Sequence, residues 1–251
     1  MAYLPLLAFY LPSQAYCIPI KMLETQLVLL HGFGEDERIW ADFSPYLGEN
    51  FTIHTPSYAA WTDCATLADY AKKIQSSLPA DLTFCVVGHS MGGYIALELA
   101  SLFPEQVKKV VMLHSTFLPD TEEKKINRDR TAELLAKKGT AFFIGPFLPN
   151  LFAVSSSEQI AVLADRYRTL PVEGLIAATK AMRDRKDFTD FVQATSIPFL
   201  FILGAQDALI SPESITRFIQ KSVVILPNVG HQGTYEAPEA VAEAINQFVN
   251  V

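Results

Sequence analysis

The sequence predicts an α/β fold: a mostly parallel central sheet with helices on both faces and a helical insertion late in the chain. Three observations carry that expectation. Short β-branched or aliphatic runs recur at wide intervals, segments of helical periodicity lie between them, and one long stretch between two of the runs is helical in character throughout. Strands that alternate with helices imply βαβ crossovers, which build parallel sheets.

The first strand is read in "TQLVLLHG", ending at Gly32, and a weaker one in "FTIHTP" at 51–56. Four more follow: "LTFCVVGHS" ending at Ser90, "KKVVMLHS" ending at Ser115, "IPFLFILG" ending at Gly204, and "SVVILP" from Ser222 to Pro227. Their near-continuous apolar character suits strands covered on both faces. Between them, Leu67, Tyr70, Ala71, Ile74 and Leu78 form one helical stripe, and Ala96, Leu97, Ala100 and Phe103 another. The last helix starts at Pro238, where proline suits a first turn, and buries Val241, Ala244, Ile245, Phe248 and Val249. The insertion opens with the strongly charged "PDTEEKKINRDRTAELLAKKG", which carries Leu134 and Leu135 on one side; Gly145-Pro146 and Pro149-Asn150 punctuate the rest. The expected organisation is one domain, with a core of residues 1–116 and 196–251 and a helical cap over 117–195.

Composition narrows the function classes. Half of the 251 residues are apolar and 19% are charged, which supports a large core and argues against disorder. A net charge of -7 repels phosphate backbones and anionic lipid, so nucleic acid is not an expected partner. After the N-terminus no run approaches the roughly 18 apolar residues of a membrane span. Cys17, Cys64 and Cys85 are odd in number and lack a C-x-x-C pair. They suggest neither a disulfide framework nor a zinc site, and fit a reducing compartment, the cytoplasm. The opening "MAYLPLLAFYLP" is apolar as an export signal is, yet it lacks a basic start and an A-x-A-like site and contains Pro5 and Pro12.

The chemistry centres on Gly88-x-Ser90-x-Gly92, placed after a strand and before a helix. A serine on so tight a turn projects its hydroxyl out of the sheet, and the cramped turn favours glycine two residues to either side. An ordinary glycine-rich turn has the same five residues, so distant partners must decide. A serine hydroxyl needs a base, and the base needs an orienting carboxylate. Of the five histidines, His31 and His89 lie inside turn motifs, His54 sits in a strand and His114 ends one. His231 stands apart in "PNVGHQGTYEAPE", a loop between the last strand and last helix. For the acid, Asp207 in "FILGAQDALISPES" follows another strand, and Asp120 is its rival; Asp184, Asp187 and Asp190 read as solvated surface. The chain order Ser90, Asp207, His231 favours Asp207. Backbone N–H groups of Met91, opening the next helix, and Phe33, in "LLHGFGEDERIW", are the expected oxyanion donors.

These blocks, "HGFGEDERIW", "GHSMGGYIALELASLFPEQVKKVVMLHS", "GAQDALIS" and "GHQGTYEAPE", resemble the α/β-hydrolase superfamily, most of all its small esterases, lactonases and carbon–carbon bond hydrolases with a helical cap. The resemblance implies the α/β-hydrolase fold, with Ser90 as nucleophile, His231 as general base and acid, Asp207 as its partner, Phe33 and Met91 at the oxyanion, and no cofactor or metal. It runs from about Leu27 to the C-terminus; the first twenty-odd residues match the family's usual antiparallel hairpin poorly. The expected activity is cleavage of carboxylic esters of small, mainly apolar substrates through an acyl-enzyme. Lactones, thioesters, carbon–carbon bonds or perhydrolysis remain open on the same residues, as does a slow-hydrolysing ligand sensor with a protein partner.

For the pocket, the aromatics Phe117, Phe142, Phe143, Phe147 and Phe152, with Trp40, are candidate lining or cap core, and His114 is a further candidate through its strand end. Lys124, Lys125, Arg128 and Arg130 alternate with Glu122, Glu123 and Asp129 and read as a solvated helix face. A carboxylate-recognising role for Arg128 is the competing reading, and it would imply an acidic substrate.

Overall fold

A computed structural model describes residues 24–154, 157–219 and 222–250. The export-like opening run, Cys17 and the poorly matching hairpin region lie outside the described residues. Six strands form one sheet: β1 (Thr25–Leu30), β2 (Phe51–His54), β3 (Phe84–His89), β4 (Val107–Leu113), β5 (Phe199–Gly204) and β6 (Val223–Leu226). Their order is β2-β1-β3-β4-β5-β6, and every neighbouring pair is parallel. The chain moves outward from β1 to β2 and then returns to β3 on the other side of β1. Such a reversal opens a crevice at the carboxyl ends of the strands, and it falls between the loops that follow β1 and β3.

Helices cover both faces. In chain order they are α1 (Arg38–Phe43), α2 (Leu67–Ser77), α3 (Met91–Leu102), α4 (Glu122–Phe147), α5 (Ser157–Tyr167), α6 (Val172–Arg183), α7 (Thr189–Ala194), α8 (Pro212–Thr216), α9 (Gly233–Glu236) and α10 (Pro238–Asn250). Because successive strand residues face opposite ways, Val28 and Leu30 join Val86, Met112, Tyr70, Ile74, Ile95 and Leu99 on the α2/α3 face. Leu27 and Leu29 join Val87, Val111, Val241, Ile245 and Val249 on the α1/α10 face. Both layers are fully buried apolar packing, the dominant stabilising contribution.

That division corrects two pocket assignments. Trp40 is wholly buried on the α1/α10 face, edge-on to Phe43 at 6.0 Å, because Ile39, Trp40 and Phe43 form the inward stripe of α1. Phe117 belongs to the opposite layer, 5.7 Å from Phe201 and 5.8 Å from Phe218. Both are core residues away from the crevice.

Helices α4 to α7 occupy the stretch between β4 and β5. Thr121 caps α4 by accepting from the Lys124 N–H at 3.3 Å. The helix breaks at Gly139 (φ 77°, ψ 173°), a conformation open to glycine, and continues through Pro146. The expected punctuation at Gly145-Pro146 therefore sits six residues too late. Leu135, Ile144, Leu148, Leu151, Leu163, Tyr167 and Leu175 form a separate small core. Among the described residues no helix is long and apolar enough to cross a membrane, and Cys64 and Cys85 are buried and unpaired.

Candidate active site

Ser90 joins β3 to α3 with φ 52° and ψ -114°, a left-handed conformation that costs a non-glycine residue about 1–3 kcal/mol. The surroundings hold it there. Its N–H donates to Leu113 O at 2.9 Å, and its carbonyl accepts from Gly93 N at 3.0 Å and Ser115 Oγ at 2.7 Å. The two glycines are sterically required: a Cβ on Gly88 would lie 2.3 Å from Gly92 O, and one on Gly92 2.2 Å from Leu30 O.

The structure brings Ser90, His231 and Asp207 into one line. His231 Nε2 lies 2.8 Å from Ser90 Oγ, and its Nδ1 2.7 Å from Asp207 Oδ2. With Nδ1–H donating to the carboxylate, Nε2 is left to accept the serine proton. Asp207 Oδ1 meanwhile accepts from Leu209 N at 2.8 Å and Ile210 N at 3.0 Å, so it is a turn residue as well as the partner of His231. Burial pushes the Asp207 pKa up, but the facing His231 charge, with hydrogen bonding and the nearby His114, outweighs it and holds the carboxyl well below the usual range. The loop carrying His231 is tied to the helical stretch between β4 and β5: His231 N donates to Leu151 O at 2.6 Å, and Glu236 accepts from Gly230 N at 2.9 Å and Ala153 N at 2.7 Å.

His114 lies behind this line. It is fully buried, with Nδ1 3.7 Å from Asp207 Oδ2, beyond hydrogen-bond reach. Gly233 packs over its other side, where a Cβ would meet His114 Nε2 at 2.2 Å. Burial pushes its pKa down to about 4, so the ring is neutral at neutral pH. The assignment of His114 to the pocket is thereby corrected, since its ring is fully buried beside Asp207 and does not line the cavity. Asp120, the rival acid, is bound instead by Arg128 Nε at 3.1 Å and Arg185 Nη1 at 2.7 Å.

A second buried network, absent from the sequence reading, centres on Glu35. Its Oε1 accepts from Gly32 N at 2.6 Å and meets His89 Nδ1 at 2.5 Å, while Oε2 accepts from Gln232 Nε2 at 3.2 Å. His89 Nε2 lies 2.9 Å from His231 O. Glu35 thus links the loop after β1, the turn at Ser90 and the His231 loop. Burial opposes charge on both members of the pair, but each outweighs it for the other: His89 is held above its ordinary 6.5 and Glu35 below its ordinary 4.5. The stabilisation is fully present between those two unfolded-state values. It is lost on acidification through the lowered Glu35 pKa and on alkalinisation through the raised His89 pKa. Glu35→Gln is therefore expected to lower Tm most between about pH 4.5 and 6.5, with the difference from wild type narrowing as pH rises past the His89 pKa. A Tm difference constant across pH would contradict the charged pair.

The crevice over Ser90 is a cavity of about 230 Å³, suited to a small ligand. Phe33, Phe143, Phe147 and Leu151 form one wall, with Phe143 and Phe147 stacked at 4.8 Å and both edge-on to Phe33. Phe147 thus lines the cavity, whereas Phe142 is exposed and Phe152 packs on Tyr235. The N–H groups of Phe33 and Met91 donate to no protein group among the described residues; Met91 opens α3, where first-turn donors lack helical acceptors. No cluster of three or more His, Cys, Asp or Glu side chains among the described residues could hold a metal.

The family model described as the alpha/beta hydrolase family matches residues 27–244. The chain is an α/β-hydrolase. A pimeloyl-[acyl-carrier protein] methyl ester esterase of Nitrosomonas europaea is 28% identical to this hydrolase over 234 residues, covering 85% of this chain and 91% of the relative. A 2-succinyl-6-hydroxy-2,4-cyclohexadiene-1-carboxylate synthase of Enterobacter sp. is 26% identical, covering 90% and 92%. Among solved structures, a thermophilic esterase from Thermogutta terrifontis with malate bound superposes on the hydrolase with a TM-score of 0.81 at 28% identity, over 90% of this chain and 89% of that one. Esterases among these relatives place the hydrolase, at family level, with ester-cleaving enzymes.

Proposed function

We propose that this hydrolase cleaves carboxylic esters of small substrates by two-step acyl transfer, with the helical cap of residues 117–195 closing over the substrate. The hydrogen-bonded line from Asp207 through His231 to Ser90, opening on a cavity of about 230 Å³, carries the reading. Ser90 Oγ attacks the ester carbonyl as His231 Nε2 takes its proton, and the oxyanion rests on the Phe33 and Met91 N–H groups. His231 then returns the proton to the leaving alcohol, leaving an acyl group on Ser90. Water, deprotonated by His231, attacks the acyl carbonyl; the bond to Ser90 Oγ breaks as His231 returns the proton to that oxygen, releasing the acid and restoring the serine. Asp207 holds the imidazole in the required tautomer and stabilises its charged form. The aromatic wall takes the apolar part of the substrate, and none of these steps calls on a cofactor. Buried, unpaired Cys64 and Cys85 support a cytoplasmic setting.

A panel of p-nitrophenyl and alkyl esters, lactones and acyl-CoA thioesters, compared by kcat/KM, tests the substrate class. Esters are expected to lead the panel with repeated turnover. A lactone or thioester preferred by about tenfold or more, equivalent to about 1.4 kcal/mol, would move the activity to that class. A single slow turnover that stops at a persistent adduct would make the protein a ligand sensor.

A further inference from the structure

Part of the lining of the Ser90 cavity is cationic. Lys124, Asn127, Arg128 and Thr131 all line it, a spacing of three, four and seven residues that places them on one face of α4. Arg185, from the turn after α6, joins them. The one carboxylate among the described lining residues is Asp120, and it lies against both Arg128 and Arg185. Three cations therefore face one anion, in a chain whose overall charge is -7.

The pairing is also incomplete. Arg185 is largely committed: it pairs with Asp120, donates to Leu118 O at 2.9 Å and to Met182 O at 3.2 Å, and lies 4.4 Å from the Tyr94 ring. Arg128 touches Asp120 through Nε alone, which leaves its two terminal nitrogens without an acceptor among the described residues. Lys124 has no ion-pair or hydrogen-bond acceptor for its ammonium among the described residues. Its neighbour Lys125 does not line the cavity and pairs with Glu122 at 2.7 Å. Burial and the adjacent Arg185 and Arg128 charges lower the Lys124 pKa, the expected response of a cation crowded by its own kind. Uncompensated positive charge in a cleft raises the local concentration of anions and supplies charge-assisted donors to them.

We propose that this wall is a carboxylate subsite, and that the preferred substrates are half-esters of dicarboxylic acids. The free carboxylate sits against Lys124 and Arg128, the methylene chain lies along Phe33, Phe143 and Phe147, and the ester carbonyl reaches Ser90. Nothing in the reaction changes, so the inference rests on the Ser90 reading but adds the chemical class of the acyl group.

The test compares kcat/KM for monoethyl adipate with that for ethyl hexanoate, an uncharged ester of equal chain length, and repeats the comparison for half-esters from glutarate to suberate. In wild type the half-ester of the fitting length is expected to lead by about tenfold or more, as a charge-assisted contact would give. Lys124→Met is expected to reduce that ratio several-fold, chiefly through KM, and Lys124→Glu to reduce it further. Equal kcat/KM across the whole length series, or a ratio that neither substitution moves, would overturn the subsite. Titration calorimetry on Ser90→Ala protein separates this outcome from a failure of the catalytic reading. Monoethyl adipate binding more tightly than diethyl adipate, and losing that advantage with Lys124→Met, sustains the subsite even if neither ester is cleaved. Equal binding of the two removes it.

Discussion

Replacing Ser90 with alanine is expected to lower kcat on every accepted ester by about 10⁴-fold or more, the scale seen when a nucleophile acting with its base is deleted. The substitution removes one oxygen, which accepts no backbone hydrogen bond among the described residues and contacts His231 Nε2 at 2.8 Å. The turn itself is held by the backbone, through Leu113 O and Gly93 N, and by Ser115 Oγ. Alanine also keeps the Cβ that the positive φ already accommodates. Folding should therefore be nearly unaffected, with Tm close to wild type and KM within a few-fold. Loss of activity with intact Tm is the combination that assigns Ser90 a chemical role.

Asp207→Asn is expected to reduce kcat by about 10⁴-fold, through a change of tautomer rather than of shape. The asparagine carbonyl can still accept from Leu209 N and Ile210 N, so the turn after β5 survives. Its NH₂ then faces His231 Nδ1, which must become an acceptor. The ring proton moves to Nε2, where it points at Ser90 and cannot receive the hydroxyl proton. His114 offers no substitute, since it stands 3.7 Å from the carboxylate and is neutral at neutral pH. Retention of more than a tenth of wild-type kcat would show that His231 is oriented by something other than Asp207.

Much of this architecture is legible in the sequence because a buried parallel strand leaves a simple trace. The β3 segment "FCVVGH" is buried at every position, and its apolar run reads accordingly. The β2 segment is half-buried at a sheet edge, and its weaker signal has that cause. Chain order likewise singles out Ser90, Asp207 and His231 before any distance is known, because each follows a strand on the same edge of the sheet.

Other features depend on topology. Trp40 stands close in sequence to the loop after β1, but the inward stripe of α1 turns it to the opposite face from Phe33. His114 ends a strand next to Ser90, yet its ring is fully buried, does not line the cavity and is covered by Gly233. Glu35, three residues after Gly32, is indistinguishable in sequence from an acid near the start of α1; only the fold brings His89 to it. The charge pattern of α4 conceals two faces, because residues 124, 127, 128 and 131 share the cavity side while Lys125 and Glu122 pair away from it. Arg185, which completes the cationic wall, lies 57 residues beyond Arg128, beyond the reach of any local pattern.

The most direct test of the account is capture of the acyl-enzyme. Wild-type protein mixed with p-nitrophenyl butyrate and quenched in acid during the first turnovers should carry a butyryl increment by intact mass, and digestion should map it to the peptide containing Ser90. The increment should vanish in Ser90→Ala and persist longer in His231→Ala treated with an activated ester. Turnover at the wild-type rate with no acyl group on Ser90, or with Ser90→Ala still fully active, would contradict the mechanism.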